Sequence, residues 1–376
     1  MAIRRVAMIL PGLGRVQRGA ETAFLEVARA LGRDPEWEVT VFGSGDQGTD
    51  GLSLQRVGCV PRERFERWPK LPCLRTENHY EELSFVLSMF RRKTYQPENF
   101  DVVIACSYPY VNWMLQLTGG KKRPKQIFVT QNGDWMCQAS SREYRLFRCD
   151  GLVCINPFYY ERHREHYLSA LIPNGVDPSD YRPCSPGEVA PDLGIPRDRS
   201  VILMVSALIP EKKVAEAIQA VALVPEAFLV VAGDGPERKE VAAQAATLLP
   251  GRHLLLGSLP RSIMPSVYRQ ADLFLHMHRE EPFGIVYLEA AASGLAIVAP
   301  DAPIPRWILG ESAVYVEPDE PISVAEGLRL ALNIASRQRL GTSVRTRVLA
   351  EWTWDVQSRR YRDFIDQVLT EGGVCR

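Results

Sequence analysis

Two glutamates that flank a helix start form the strongest candidate site in the sequence. Glu281 lies on a predicted loop, and Glu289 lies about a turn and a half into the helix that follows. Between them, the backbone N–H groups of Phe283, Gly284 and Ile285 are free at the helix N-terminus, where they and the helix dipole favour an anion such as a diphosphate. A carboxylate beside an anion site accepts hydrogen bonds from sugar hydroxyls well. The combination predicts a site for a sugar nucleotide.

The flanking residues predict the elements that position this site. An apolar run at 273–277 reads as a buried strand, and a helix opens near Phe283 and is stopped by Gly294. A second apolar strand begins directly afterwards, at 295–298. Together they form one compact βαβ unit.

The stretch Glu281-Pro-Phe-Gly-Ile-Val-Tyr-Leu-Glu289 resembles the motif of the retaining glycosyltransferases of family four, which have the GT-B fold. Two glutamates at this spacing are common on solvated helices. The Phe-Gly inside the motif and the following Glu-Ala-Ala-Ala-Ser-Gly-Leu-Ala-Ile-Val-Ala run make the resemblance more specific. The alternative is an ordinary crossover in another α/β protein.

Composition bounds the class of protein. A chain of 376 residues is long enough for two domains, and its formal net charge of zero gives no general attraction to nucleic acid. The apolar run after Arg5 is too short for a membrane span or a signal peptide. The cysteines lack metal-ligand spacing and read as reduced thiols of a cytoplasmic protein; they are Cys59, Cys73, Cys106, Cys137, Cys149, Cys154, Cys184 and Cys375.

A glycine-rich loop follows the first predicted strand. Gly12, Gly14 and Gly19 do not have the spacing of the dinucleotide fingerprint, which argues against a nicotinamide site. Gly19-Ala-Glu21 instead resembles the Gly-Gly-Ala-Glu of family four, with Arg18 at the first glycine position. That resemblance implies that the loop, including Gly14 and Gly19, lets the backbone approach the donor phosphates and the acceptor. The alternative is that the glycines serve only the turn.

The family commonly has a histidine facing the reaction centre where this chain has Asn132. An amide can bond a hydroxyl but cannot act as an acid or base near neutral pH. Asp134 is then the nearest candidate for a base, by proximity along the chain alone. This departure affects the expected mechanism more than the expected fold.

The segment after the first strand of the second half resembles the family's diphosphate clamp. Lys212 matches the clamp lysine, whereas Ala207 occupies the arginine position. Lys213 and Arg279 are the candidates to replace that arginine. Gly233, in the turn Gly-Asp-Gly-Pro, matches a further family landmark on the nucleotide side, although this is also common turn chemistry.

The resemblance implies two Rossmann-like α/β domains facing a cleft. Residues 1–170 would form the acceptor side, 171–352 would bind the nucleotide sugar, and a helix in 353–376 would pack back on the first domain. It implies a metal-independent, retaining transfer from a UDP- or GDP-linked sugar to an acceptor hydroxyl. Glu281 and the neighbouring amides would hold the donor sugar, Glu289 the ribose, and Lys212 the phosphates.

Two other readings stay open at this point: a GT-B protein that binds a sugar nucleotide or glycan without turnover, and a sugar-nucleotide epimerase. The sequence does not identify the base, the sugar or the acceptor, which could be a glycan, a lipid-linked molecule or a small molecule. Basic and aromatic residues interleave at 61–70. This segment could make a peripheral contact with the inner membrane. The alternative is that it is simply a solvated surface.

Overall fold

A computed structural model describes residues 3–16, 18–140, 142, 144–185, 188 and 191–371. The chain divides into two compact units, Met1–Asn174 with Trp354–Arg376, and Gly175–Thr353. Both units are parallel α/β layers, as the sequence predicts. Cys375 lies outside the described residues, and the cysteines within them form no disulfide bond.

The first unit is built on a parallel sheet of seven strands in the order β3-β2-β1-β4-β5-β6-β7. The strands are β1 (Arg4–Ile9), β2 (Trp37–Gly43), β3 (Ser53–Arg56), β4 (Val102–Ala105), β5 (Lys125–Val129), β6 (Gly151–Cys154) and β7 (Ser169–Leu171). The central strands β4 and β6 are buried along their whole length, which explains their continuous apolar sequences. The strand order reverses between β1 and β4, where sheets of this kind bind ligands at the carboxyl ends of the strands.

Helices cover the sheet of the first unit. They are α1 (Gly19–Gly32), α2 (Glu77–Arg92), α3 (Tyr110–Leu117), α4 (Trp135–Gln138) and α5 (Pro157–His163). The α1 helix begins at Gly19 and ends at Gly32. The α5 helix begins after Asn156, whose side chain accepts a hydrogen bond from the Tyr159 amide and so caps the helix.

The second unit has a parallel sheet of six strands in the order β10-β9-β8-β11-β12-β13. These are β8 (Ser200–Val205), β9 (Ala227–Ala232), β10 (His253–Gly257), β11 (Leu273–Leu275), β12 (Ala296–Pro300) and β13 (Val314–Val316). Its helices are α6 (Val214–Ala222), α7 (Arg238–Leu248), α8 (Met264–Arg269), α9 (Ile285–Ala292), α10 (Pro303–Leu309), α11 (Pro321–Leu332) and α12 (Ile334–Glu351). Here the strand order reverses between β8 and β11.

The last helix, α13 (Trp354–Glu371), packs on the first unit, which confirms the predicted return of the C-terminal helix. Arg4 Nε lies 3.1 Å from Asp366 Oδ1, and Arg362 Nη1 lies 3.1 Å from Asp34 Oδ2. The helix also approaches β6 closely, because a Cβ atom at Gly151 would lie 2.6 Å from Val368. A glycine at this position therefore allows the helix to pack against the sheet.

Candidate functional site

The main predicted residues of the second half meet at the strand-order reversal of the second unit. Lys212 lies on the loop that follows β8, and Glu281 lies on the loop that follows β11. Since β8 and β11 are hydrogen-bonded neighbours, their carboxyl-end loops lie side by side. The ammonium group of Lys212 forms an ion pair with Oε2 of Glu281.

One carboxylate oxygen of Glu281 carries all the polar contacts that this side chain makes among the described residues. Oε2 accepts from Lys212 and lies 3.5 Å from Nε2 of His276 and 3.9 Å from Nε2 of His278. Burial acts to raise the pKa of Glu281, but His276 and Lys212 lower it to about 2. The group is therefore an anion at neutral pH, with Oε1 left to accept hydrogen bonds from a ligand.

The two histidines differ in exposure and in partners. The His276 side chain is buried, and burial lowers the pKa of its imidazole. The ring of His278 is partly accessible, and its Nδ1 lies 2.8 Å from the carbonyl oxygen of Glu211. A carbonyl can only accept, so Nδ1 of His278 carries the hydrogen and Nε2 is the atom turned toward Glu281.

The helix start differs from its prediction by two residues. The helix α9 begins at Ile285 rather than near Phe283, because Gly284 precedes it in the left-handed conformation with φ +80°. A side chain at Gly284 would also lie 2.8 Å from the Tyr287 ring. Glu289 is consequently about one turn into the helix. The amides of Gly284 and Ile285 donate to no backbone carbonyl of the described residues, so they can bind an anion.

Glu289 lies in a polar cluster that the sequence did not indicate. Its Oε2 accepts a 2.8 Å hydrogen bond from the hydroxyl of Tyr268, and its Oε1 lies 3.4 Å from Arg261 Nη1. The ring of Tyr181 packs edge-on against Tyr268. Glu289 is buried in this cluster, and its binding of ribose hydroxyls stays a prediction.

The two cations predicted as replacements for the missing arginine are both engaged by acidic side chains. Lys213 forms an ion pair with Asp319, and Arg279 forms one with Glu317. Ala207 itself is exposed and carries no charge.

Only glycine fits at position 233, because the backbone of a neighbouring loop lies too close for a side chain. It has φ +145°, and a Cβ atom there would lie 1.8 Å from the carbonyl oxygen of Ser206. The turn after β9 therefore packs directly on the loop that carries Lys212. Glycine at this position lets these two loops meet, which is a structural role that does not itself test contact with a nucleotide.

In the first unit, the predicted glycine residues have different environments. Gly14 has φ +70°, and a Cβ atom there would lie 2.3 Å from the carbonyl oxygen of Gly45, so the turn needs glycine. A Cβ atom at Gly19 would have no neighbour within 4 Å. Open space at Gly19 leaves room for a ligand, whereas Gly14 holds the loop after β1 in place.

Asp134, which chain proximity alone makes the candidate base, has partners on both carboxylate oxygens. Its Oδ2 lies 2.6 Å from Arg162 and 2.9 Å from the buried His163, and its Oδ1 accepts from Gln138. Burial acts to raise the pKa of Asp134, but the hydrogen bonds from His163 and Arg162 hold it below its usual value. A weakly basic carboxylate with both oxygens occupied is a poor proton acceptor.

Asn132 lies on the same loop as Asp134. Among the described residues, no hydrogen bond joins their side chains. The Asn132 side chain is exposed, and its amide nitrogen lies 3.8 Å from the sulfur of Cys106, just after β4. This places Asn132 beside the strand-order reversal of the first unit, with its polar atoms accessible to a ligand.

Sequence reasoning missed His276, Tyr268 and Arg261 as partners of the two glutamates. His276 offered a signal, because a histidine directly after an apolar strand is a polar residue at the carboxyl end of the sheet. The other two come from α8 and the loop before it, and their approach to Glu289 depends on tertiary packing.

Neither a metal centre nor a membrane-crossing helix is found within the described ranges. No three His, Cys, Asp or Glu side chains there are grouped so that they could hold a metal ion. No described helix combines the length and apolar composition needed to cross a membrane.

Comparison with known proteins relates both halves of the chain to glycosyltransferases. Residues 17–180 match the model of Glycosyltransferase Family 4, and residues 188–347 match the model of Glycosyl transferases group 1. A phosphatidylinositol N-acetylglucosaminyltransferase subunit of Saccharomyces cerevisiae is 30% identical over 47% of this chain and 40% of its own length. A GDP-mannose-dependent alpha-mannosyltransferase of Mycolicibacterium smegmatis is 31% identical over 48% of this chain and 47% of its own. The chain thus spans less than half the length of these curated relatives.

The fold is also shared with solved structures. Sucrose-phosphate synthase from Thermosynechococcus elongatus superposes with a TM-score of 0.77 at 18% identity, covering 98% of this chain and 100% of that one. This confirms the predicted GT-B fold. In order along the sequence, the chain is thus similar first to Glycosyltransferase Family 4 and then to Glycosyl transferases group 1.

Proposed function

We propose that this chain is a retaining glycosyltransferase that moves a sugar from a nucleoside-diphosphate sugar to an acceptor hydroxyl without a metal ion. The arrangement of Glu281 carries the proposal. One of its oxygens is bonded to Lys212 and lies 3.5 and 3.9 Å from two histidine nitrogens, and the other is left for a ligand next to the start of α9. An anchored anion with one free oxygen is suited to orient a sugar hydroxyl.

Each part of the donor has a matching group in the second unit. The free oxygen of Glu281 and the amides near Gly284 would bind the sugar, and Glu289 would bind the ribose hydroxyls. Lys212 would bind the diphosphate and stabilise the charge that develops on it as it leaves.

Transfer with retention would proceed on one face of the sugar. The bond from C1 of the sugar to the diphosphate oxygen breaks, the acceptor oxygen bonds to C1 on the same face, and the acceptor proton passes to the departing phosphate oxygen. The products are a glycoside and a nucleoside diphosphate. This route needs no protein base, which agrees with the occupied carboxylate of Asp134 and with an amide at Asn132.

The donor would be GDP- or UDP-linked, and the mycobacterial relative is named for dependence on GDP-mannose. The test is a transfer and hydrolysis assay with purified protein and a panel of both donor types. The anomeric configuration of the product is then determined. We expect release of nucleoside diphosphate from one donor, and a product with the donor's configuration. Binding without release would instead indicate a non-catalytic protein, and conversion of the donor sugar without release an epimerase.

We also propose a cytoplasmic location with peripheral contact at the inner membrane. The loop that joins β3 to α2 exposes Trp68 and Leu71, and the exposed basic residues Arg64, Arg67 and Lys70 lie beside them. Apolar side chains flanked by basic ones suit the surface of an anionic bilayer. We expect the protein to sediment with phosphatidylglycerol vesicles and not with phosphatidylcholine vesicles. Equal sedimentation with both kinds of vesicle would contradict this contact. So would full binding to phosphatidylglycerol vesicles by the double variant Trp68→Ser, Leu71→Ser.

A further inference from the structure

The first unit contains a buried carboxyl group with an unused oxygen. Glu21 lies in the first turn of α1, after the glycine-rich loop that follows β1, and only 6% of the residue is exposed. Its Oε2 is buried and has no hydrogen-bond partner among the described residues. A buried polar atom without a partner costs free energy, so we expect a group from outside the chain to satisfy it.

This carboxyl group lies at the strand-order reversal of the first unit. A Cβ atom at Gly12, on the loop after β1, would lie 2.1 Å from Oε1 of Glu21. Burial raises the pKa of the Cys106 thiol, which follows β4, and the charge of Glu21 adds to that rise. Glu21 is therefore close to the carboxyl ends of both β1 and β4, the neighbouring strands between which the order reverses. Crevices at such points bind ligands in parallel α/β sheets.

The same crevice has an amide and open space beside this carboxyl group. Asn132 is exposed, and its Nδ2 lies 3.8 Å from the sulfur of Cys106. A Cβ atom at Gly19, two residues before Glu21, would meet no atom within 4 Å. A carboxyl group and an amide suit hydroxyl groups, which both donate and accept hydrogen bonds. A hydroxyl can donate to an ionised Glu21 or accept from a protonated one, so this match does not depend on its protonation state.

The arginines around this crevice are already engaged by carboxylates. Arg15 forms an ion pair with Glu81 and lies 3.6 Å from Glu63. Arg18 lies 3.0 Å from Glu63, and Arg62 lies 3.9 Å from it. The buried carboxyl group of α1 adds no positive charge to this set. A phosphate group would therefore find no uncompensated cation among these described residues, and the carboxylates would repel it.

We infer that the acceptor in the proposed reaction is an uncharged, polyhydroxylated molecule, such as an unphosphorylated sugar or cyclitol, and that Glu21 binds one of its hydroxyl groups. The inference rests on the proposed function and adds to it the chemical class of the acceptor and the residue that selects it. Asn132 binds a neighbouring hydroxyl of the same ring. This role uses the amide of Asn132 for binding, which needs no acid or base at that position.

Sugar transfer by the purified chain, measured with matched acceptors, tests this inference. The donors are GDP-mannose and UDP-glucose, and the acceptor probes are mannose, glucose and myo-inositol, each beside its monophosphate. We expect at least one uncharged probe to take the sugar or to slow the hydrolysis of the donor. Its monophosphate should have a kcat/KM lower by about tenfold or more, because the phosphate has no free cation to bind. This comparison uses the wild-type protein and so does not depend on the folding of a variant.

Two variants of Glu21 separate binding from a structural role. Glu21→Leu should raise the KM for the acceptor about tenfold, because a hydrogen bond to the ring is lost, and should leave the calorimetric affinity for the donor unchanged. Glu21→Gln keeps a group that bonds hydroxyls and should retain most of the affinity for the acceptor. Glu26→Leu is the matched control, since Glu26 lies on the same helix and pairs with Arg29. It should not change the KM. Thermal unfolding shows that each variant is folded.

The outcomes distinguish the inference from the proposed function. If the monophosphates are used as well as the uncharged probes, or if Glu21→Leu keeps the wild-type KM, the inference is wrong and the donor site stands. The same holds if the wild-type protein hydrolyses a donor but no uncharged probe takes the sugar or changes that rate. If the wild-type protein neither binds nor hydrolyses any donor, the proposed function itself is wrong.

Discussion

The two units each contain a carboxylate that pairs with a cation and a histidine, and these two sites differ in what they leave free. In the first unit, both oxygens of Asp134 are occupied, by Arg162, His163 and Gln138. In the second unit, the contacts of Glu281 converge on a single oxygen. The pKa is lowered at both sites, so perturbed ionisation does not distinguish them. The unused oxygen does, and it marks Glu281 as the carboxylate available to a ligand.

The largest expected effect comes from removing the cation of the second unit. Lys212→Ala should lower the turnover number for sugar transfer about 10²–10³-fold, because a fixed charge near the leaving group is lost. The measurement is the initial rate of nucleoside diphosphate release with saturating donor and acceptor. Lys213→Ala is the matched control, since Lys213 is paired with Asp319, and it should change the rate much less. If both variants lose the same fraction of the rate, Lys212 has no special role in the reaction.

Removing the corresponding carboxylate of the first unit should affect stability instead. Asp134→Asn leaves the buried His163 and the partly exposed Arg162 without their anionic partner, which should cost about 1–3 kcal/mol of the free energy of unfolding. The rate per folded molecule should stay close to that of the wild type. Denaturant unfolding and the same transfer assay check both parts. A large loss of rate at unchanged stability would restore Asp134 as a catalytic candidate.

Glu289 lies between these two cases, since it has internal partners and a predicted role in binding ribose. Glu289→Ala should weaken nucleotide binding by about 1–3 kcal/mol, because ribose hydroxyls would be left unpaired. Tyr268→Phe is a useful companion, because it removes the internal partner and keeps the carboxylate. It should change the affinity less than Glu289→Ala does. Unchanged calorimetric affinity of Glu289→Ala for the nucleotide would refute the ribose role.

The smallest effect concerns acid stability. The pKa of Glu281 is about 2 in the folded protein, below that of an unfolded glutamate, so its ionised form stabilises the fold above the unfolded value. This contribution should be lost as the pH falls from about 4.5 toward 2. Glu281→Gln should therefore be less stable than the wild type at neutral pH by on the order of 1 kcal/mol, and the difference should shrink in acid. Unfolding curves that keep a constant difference would contradict the assignment.

The sequence predicts the fold better than it predicts the connections of the site. Strands such as Ala296–Pro300 are buried on both faces and so appear as continuous apolar runs in the sequence. The residue pattern predicts the start of α9 two residues early, because the left-handed conformation of Gly284 delays the helix to Ile285.

The site was predictable where the residues lie close in sequence. Glu281 and Glu289 are separated by a fixed helical spacing, whereas the ion pair of Glu281 with Lys212 joins residues 69 positions apart. Such a pair depends on the adjacency of β8 and β11, which a single sequence does not specify. The same reason explains why the sequence did not indicate the partners of Asp134, since Arg162 and His163 come from a different helix.

The central claim is that the free oxygen of Glu281 binds the donor sugar, and calorimetry of Glu281→Gln tests it most directly. The affinity for GDP is compared with that for GDP-mannose, and the affinity for UDP with that for UDP-glucose. Each difference is the part of the affinity that depends on the sugar. We expect the variant to lose that part and to keep or strengthen its binding of the nucleoside diphosphate, because Lys212 is no longer paired. If the sugar nucleotide keeps its full advantage over the nucleoside diphosphate in the variant, Glu281 does not hold the sugar.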